Sequence, residues 1–423
     1  MQLKGASKEQ LNQFETELKT TYQQLRERQL KLDLTRGKPS TEQVGIANKL
    51  DGILEGNYLS ESGIDTRNYG QPLGLPELRE LGSQLLDIPA SNVIAAGNSS
   101  LMLMYLTALV QYLYGIEGKN TAWQNLSNPK FICPVPGYDR HFSICENFGI
   151  EMITVPMTDT GPNMDAVEDL IKNDDQIIGL WCVPKYSNPT GAIYSKDTVE
   201  RIAKLGHIAN PMFRIFWDNA YVIHDLGETP QPLTNLWQLA KNAGTENALW
   251  MFASSSKVTF GGAGVAWVAG SDVNLTALKG LLSVATIGFD KVNQLRHARL
   301  FPDLDALREQ MRQHAHFIRP KFDAVFSALD AQLAGFGRWS KAEGGYFVSF
   351  DTAPGLAKKV VSLAADAGVK LTPAGATFPY GKDPEDCNIR IAPTFPSIED
   401  LNKAMEVFCV CVQLATVQQK LGH

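Results

Sequence analysis

Between Leu75 and about Ser254, short wholly apolar runs alternate with helical patterns, and few architectures accommodate that alternation. Residues 131–134, 151–155, 177–183, 213–217 and 249–253 read as buried strands, while 101–114, 164–172 and 195–209 read as helices between them. Parallel strands need a crossover of a dozen or more residues, usually a helix, and are buried on both faces, so they read as continuous apolar runs. An α/β domain with a mainly parallel sheet is expected.

The texture changes after a long helical region around 303–333. A strand at 344–351, a helix at 356–367, a strand at 388–392 and a helix at 397–417 describe a smaller α+β unit. At the other end, Ser7-Lys8-Glu9-Gln10 has capping-box form. Leu11, Phe14, Leu18, Tyr22 and Leu25 then recur at helical steps to about Leu30, which suits a packed arm. A chain of 423 residues exceeds one ordinary core.

A net charge of −6 with no basic block leaves a nucleic-acid partner without an electrostatic footprint. The longest apolar stretches, such as 177–183, stop far short of the ~20 residues that span a bilayer. The polar first thirty residues lack the apolar core of a signal peptide, so a cytoplasmic protein with no membrane partner is expected. Cys133, Cys145, Cys182, Cys387, Cys409 and Cys411 form no C-x-x-C pair, and His314 and His316 fall on different helix faces. No metal site is expected.

Three stretches carry the chemistry: Ser187-Asn188-Pro189-Thr190-Gly191, Asp218-Asn219-Ala220-Tyr221 and Ser254-Ser255-Ser256-Lys257. From Asn188 to Asp218 is 30 residues, from Asp218 to Lys257 is 39, and from Lys257 to Arg390 is 133. A lysine after a serine run, an aspartate ending a strand and an asparagine in a turn suit an enzyme that holds pyridoxal phosphate. The lysine forms the Schiff base and the carboxylate partners the pyridine nitrogen. Ala96-Gly97-Asn98-Ser99-Ser100 opens a helix, whose free N–H groups suit a phosphate. Each stretch also has a plain reading: a surface lysine in a serine turn, an ordinary Asn-Pro turn, a core tyrosine, a simple helix cap. Their order and separations favour the joint reading.

These landmarks, from about Gly37 to Arg390, resemble the class I/II aminotransferases of the fold type I pyridoxal-phosphate enzymes. The resemblance implies a large domain at 46–315 with a seven-stranded sheet, a small C-terminal domain at 316–423, and an arm at 1–45 joining the small domain. It implies that Lys257 is the Schiff-base lysine, that Asn188 and Tyr221 bond the cofactor's phenolic oxygen, and that Ser254, assisted by Ser256, contacts phosphate. Tyr138 matches the ring-stacking aromatic. Tyr69 matches a tyrosine that reaches the neighbouring subunit's phosphate, which implies a homodimer with composite sites. Arg390 matches the arginine that grips the substrate α-carboxylate, and Gly37, beside Arg36, matches a substrate-loop glycine. Amino-acid and 2-oxo-acid substrates follow, with aspartate or glutamate as donor.

One departure stands out. The family usually places an arginine eight residues after the lysine to clamp phosphate, and here that position is Val265. Arg36, Lys291, Arg296 and Arg299 are candidate replacements; for a second substrate carboxylate the candidates are Arg36, beside the substrate-loop glycine, and Lys291 and Arg296, which lie where the family supplies a side-chain-binding arginine from the partner subunit. With the 185–191 and 290–297 stretches, the departure resembles the bacterial aspartate-aminotransferase subgroup related to the enzymatic domain of MocR-type regulators. A lyase or decarboxylase on the same fold, or a cofactor-sensing regulator, is the alternative. Ser254-x-x-Lys257 as a penicillin-binding motif lacks its companion Lys-Thr-Gly strand. The 261–264 glycines lack dinucleotide spacing.

Overall fold

The structure, a computed structural model, describes residues 5–423, so the first four residues of the expected arm lie outside the described residues. Its centre is a sheet in the order Val93–Ala95, Ala266–Gly270, Leu249–Ser254, Arg214–Asp218, Ile177–Cys182, Lys130–Val135, Glu151–Thr158, Gly161–Pro162. The run from Leu249–Ser254 to Glu151–Thr158 is parallel throughout, and Ala266–Gly270 runs antiparallel to both of its neighbours. The sheet has eight strands rather than seven. The additional one is the two-residue Gly161–Pro162, folded back on the end of Glu151–Thr158, with Gly161 at φ +123° where side chains are strained.

Successive residues of each central strand face opposite layers. Ile215 and Trp217 join one apolar cluster with Leu180, Met251 and Trp267. Phe216 joins the other with Ile178, Trp250 and Phe252. Both faces are therefore covered, which is why the strands read as unbroken apolar runs. Gly179 has a local reason: a Cβ there would overlap the Phe131 ring on the adjacent strand.

A third cluster lies outside the sheet layers. It unites Leu11, Leu18, Leu25 and Leu34 with Phe322, Val360, Ile391 and the long C-terminal helix Ile398–Leu421. The N-terminal helix Lys8–Glu27 begins at the expected capping box of Ser7 and Gln10, and its Tyr22 hydroxyl donates to Leu363 O at 2.9 Å. Leu32–Asp33 then pairs with Val369–Lys370. The 29-residue helix Leu304–Gln332 serves two clusters. Leu307 and Met311 pack under the sheet, while Ala315, Ile318 and Phe322 pack with the C-terminal helix.

The helix expected at 195–209 is shorter, Lys196–Ala203 followed by a 3-10 turn at Leu205–His207, as a glycine at 206 favours. No helix among the described residues is long and apolar enough to cross a membrane.

Candidate active site

Open α/β sheets place ligands beyond the carboxyl ends of their strands, and the three motifs meet there. Asp218 ends the strand Arg214–Asp218, and Ser254 ends the adjacent Leu249–Ser254. Tyr138 caps the helix Asp139–Phe148 that follows Lys130–Val135. Together they border a cavity of about 580 Å³. Four serines line it, Ser99, Ser100, Ser254 and Ser256, along with Tyr138, Asp218, Tyr221 and Lys257. Asn188, Arg390, Arg36 and Gly37, also expected, line the same cavity.

Three expected residues stand elsewhere. Gly97 takes φ +61° at the turn before the helix Ser100–Leu113, and its carbonyl accepts from Ala266 N. Asn98 supports the cavity from behind: its amide donates to Gly262 O at 3.0 Å, and its carbonyl accepts from the Ser256 hydroxyl at 3.3 Å. Tyr69 is 82% exposed and does not line the cavity of its own chain.

The candidate cations also separate. Arg299 spends its guanidinium on carbonyls of Leu54 and Asn57, and Lys291 donates to Gly70 O at 3.0 Å. Arg296 stands 3.9 Å from Asp51. Of the four, Arg36 alone lines the cavity, and Arg140, unforeseen from the sequence, lines it too.

Burial lowers the Lys257 amine's pKa, with Asp218 pulling the other way. Its Nζ stands 4.9 Å from the Tyr221 ring centroid. Burial holds the Tyr221 phenol well above its ordinary range. Asp218 is 2% exposed; Oδ2 accepts from His141 Nε2 at 2.9 Å, while Oδ1 is buried with no hydrogen-bond partner. Arg390 Nη1 donates to Asp139 Oδ1 at 3.1 Å and Asn188 Oδ1 at 3.3 Å, and its guanidinium lies 4.8 Å from the Phe347 ring centroid.

Sequence reasoning missed His141, Asp139 and Trp181. The His141 ring stacks on Trp181 with centroids 4.3 Å apart and planes 8° from parallel, which fixes the imidazole against Asp218. The one available signal was position: His141 lies three residues beyond Tyr138, on the first turn of a helix whose start borders the cavity.

Residues 6–423 match the family described as aspartate amino-transferase. An aminotransferase of Mycolicibacterium smegmatis is 46% identical over 406 residues, covering 95% of both chains. An aspartate aminotransferase of Corynebacterium glutamicum is 42% identical over 413 residues, covering 97% of this chain and 95% of that one. The crystal structure of an aspartate transaminase from Corynebacterium glutamicum superposes with a TM-score of 0.96 at 41% identity, covering 99% of each chain.

Proposed function

Since the chain belongs to the aspartate aminotransferase family and is a transaminase, we propose that it works with pyridoxal 5′-phosphate held in the Lys257 cavity and that aspartate or glutamate is its amino donor. The observation that carries this reading is the unpartnered Oδ1 of Asp218. A buried carboxylate oxygen without a partner costs several kcal/mol, and a protonated pyridine nitrogen is the group that would satisfy it. The donor set fits the rest of the cofactor: Lys257 Nζ for its carbonyl carbon, Asn188 and Tyr221 for its phenolic oxygen, Tyr138 for its ring. The hydroxyls of Ser99, Ser100, Ser254 and Ser256 and the start of the helix Ser100–Leu113 suit its phosphate. Bound there, the cofactor supplies an electron sink for the bond broken at the substrate's Cα.

The chain's own residues then divide the work. His141 holds Asp218 in orientation, and Asp218 keeps a proton on the ring nitrogen. Lys257, its amine pushed toward the neutral form by burial, takes and returns the proton at the substrate Cα. Arg390 presents a planar fork to the substrate α-carboxylate, steered by Asp139 and Asn188. Arg36 and Arg140 are the remaining cavity cations for a second carboxylate.

A homodimer completes the arrangement. Tyr69 is exposed next to Gly70, which Lys291 ties to the stretch holding the exposed Val284 and Ile287. These side chains suit burial against a second copy, with Tyr69 reaching its phosphate-binding hydroxyls. The apolar clusters support a division into an arm at 1–45, a cofactor-binding domain at 46–315 and a small domain at 316–423. The deciding experiment is amino transfer from aspartate to 2-oxoglutarate by protein reconstituted with pyridoxal phosphate. No transfer from aspartate or glutamate, with turnover on aromatic donors, would overturn the donor assignment.

A further inference from the structure

Behind Lys257 lies a buried polar set that the proposed chemistry does not use. Gln43, on the short helix Thr41–Gly45, is 0% exposed. Its Oε1 accepts from Ser40 N at 3.0 Å, and its Nε2 donates to Tyr346 Oη and His314 Nδ1, both at 3.1 Å. The proton directions follow. An amide nitrogen only donates, so His314 Nδ1 accepts and its Nε2 carries the hydrogen. That hydrogen goes to Val258 O at 3.0 Å, and the Tyr346 hydroxyl donates to Lys257 O at 3.3 Å. One side-chain amide from the N-terminal segment therefore organises a donor to each of two consecutive carbonyls, those of Lys257 and Val258, the second of which also accepts from Gln310 Nε2 at 2.6 Å.

Just upstream of Gln43, the same segment supplies Thr35, Arg36 and Gly37 to the cavity wall. It is pinned between by the Thr394 hydroxyl, which donates to Lys38 O at 3.0 Å. We propose that Gln43, Tyr346 and His314 are positioning residues that join this wall segment to the Lys257 backbone, so that the substrate-side wall and the reactive lysine are set as one piece. The inference rests on the cofactor assignment to Lys257. No other part of that reading requires it. Facing the Lys257 amine itself are Asp218, the Tyr221 ring and, behind them, His224, whose pKa is lowered by burial and by Lys257.

The test is an absorbance titration against pH of protein reconstituted with pyridoxal phosphate, which reads the lysine-bound cofactor without turnover. Tyr346→Phe and Gln43→Leu are expected to move the midpoint in the same direction, by roughly half a pH unit or more. The double variant is expected to move it no further than Gln43→Leu alone, because the Tyr346 contact to Lys257 O lies within what Gln43 organises. Midpoints equal to wild type in folded variants, or shifts that add in the double variant, would overturn the inference; a purely structural role would lower the melting temperature and leave the midpoint in place. Tyr346→Phe, which keeps the ring, decides alone if Gln43→Leu does not fold, by the presence or absence of its shift. A wild-type protein with no lysine-dependent band would instead remove the cofactor assignment beneath it.

Discussion

His141 Nε2 lies 2.9 Å from Asp218 Oδ2, and both side chains are almost wholly buried. One carboxylate oxygen is thus committed to the protein, and the other is left for what enters the cavity. His141→Phe would leave Asp218 with two unpartnered oxygens, a penalty of about 1–3 kcal/mol. Cofactor affinity should change and the folded state should weaken, whereas His141→Asn should retain part of the contact. Equilibrium dialysis of pyridoxal phosphate with urea unfolding of the apo-protein separates the two effects.

Lys257→Ala should abolish covalent fixation of the cofactor by borohydride. Turnover should fall by about a thousandfold or more, since both nucleophile and proton carrier are removed. Mass spectrometry of the reduced, digested protein locates the adduct. A label on any other lysine would reassign the site.

Removing Asp218 by Asp218→Ala should leave the chain folded but release cofactor more readily and slow exchange of the substrate Cα proton. Deuterium wash-in at Cα, followed by NMR, measures that step directly.

Tyr69 should act across subunits. Mixing inactive Lys257→Ala chains with inactive Tyr69→Ala chains should restore activity, because one composite site in each mixed dimer is intact. Native mass spectrometry proves the subunit exchange, and absence of recovery in exchanged dimers would make the site self-contained.

Arg36→Met and Arg140→Met should each be tested on aspartate and phenylalanine. The one that meets the second carboxylate should lose about 2 kcal/mol in kcat/KM for aspartate, the worth of a charge-assisted contact, and little for phenylalanine. Arg296→Met, which removes the partner of Asp51, should leave the ratio unchanged.

Acid should destabilise the protein in part through His314, whose pKa burial depresses to about 4. The unfolded chain binds this proton near pH 6.5 and the folded chain does not, so stability is full above that range and falls as pH drops toward 4. At pH 5 the loss from this one group is on the order of 2 kcal/mol relative to neutral pH. Urea midpoints at pH 7 and pH 5 measure it, and His314→Gln should reduce the difference, His224 and His297 contributing the rest in the same direction.

The central strands were legible because both faces are buried and nothing interrupts their apolar runs. The helix Lys291–Leu300 gave no such sign, since the side it buries carries Lys291, Gln294 and His297 beside Leu295 and Leu300. Polar anchors such as Gln294, which holds Leu75 N and Ala95 O, erase the periodicity that announces a helix. The strand Ala266–Gly270 is hidden by the glycine-rich turn before it. Motif spacing brought Lys257, Asp218, Asn188 and Arg390 to one cavity, yet the residues that orient them stayed invisible. His141 meets Asp218 across 77 positions and Gln43 meets His314 across 271, separations on which no local pattern bears.

The alternation of Ile215, Phe216 and Trp217 between two apolar layers constrains chain length as well as residue type. Inserting or deleting one residue in Arg214–Asp218 would exchange the layers that Phe216 and Trp217 fill, and with them the direction of the Asp218 carboxylate. Variation in this strand is therefore tolerable only as side-chain exchange at constant count, whereas the turn around residues 227–230, largely exposed and outside any strand, can lengthen without disturbing the cavity. Where the fold can grow is decided by which segments keep count for Asp218.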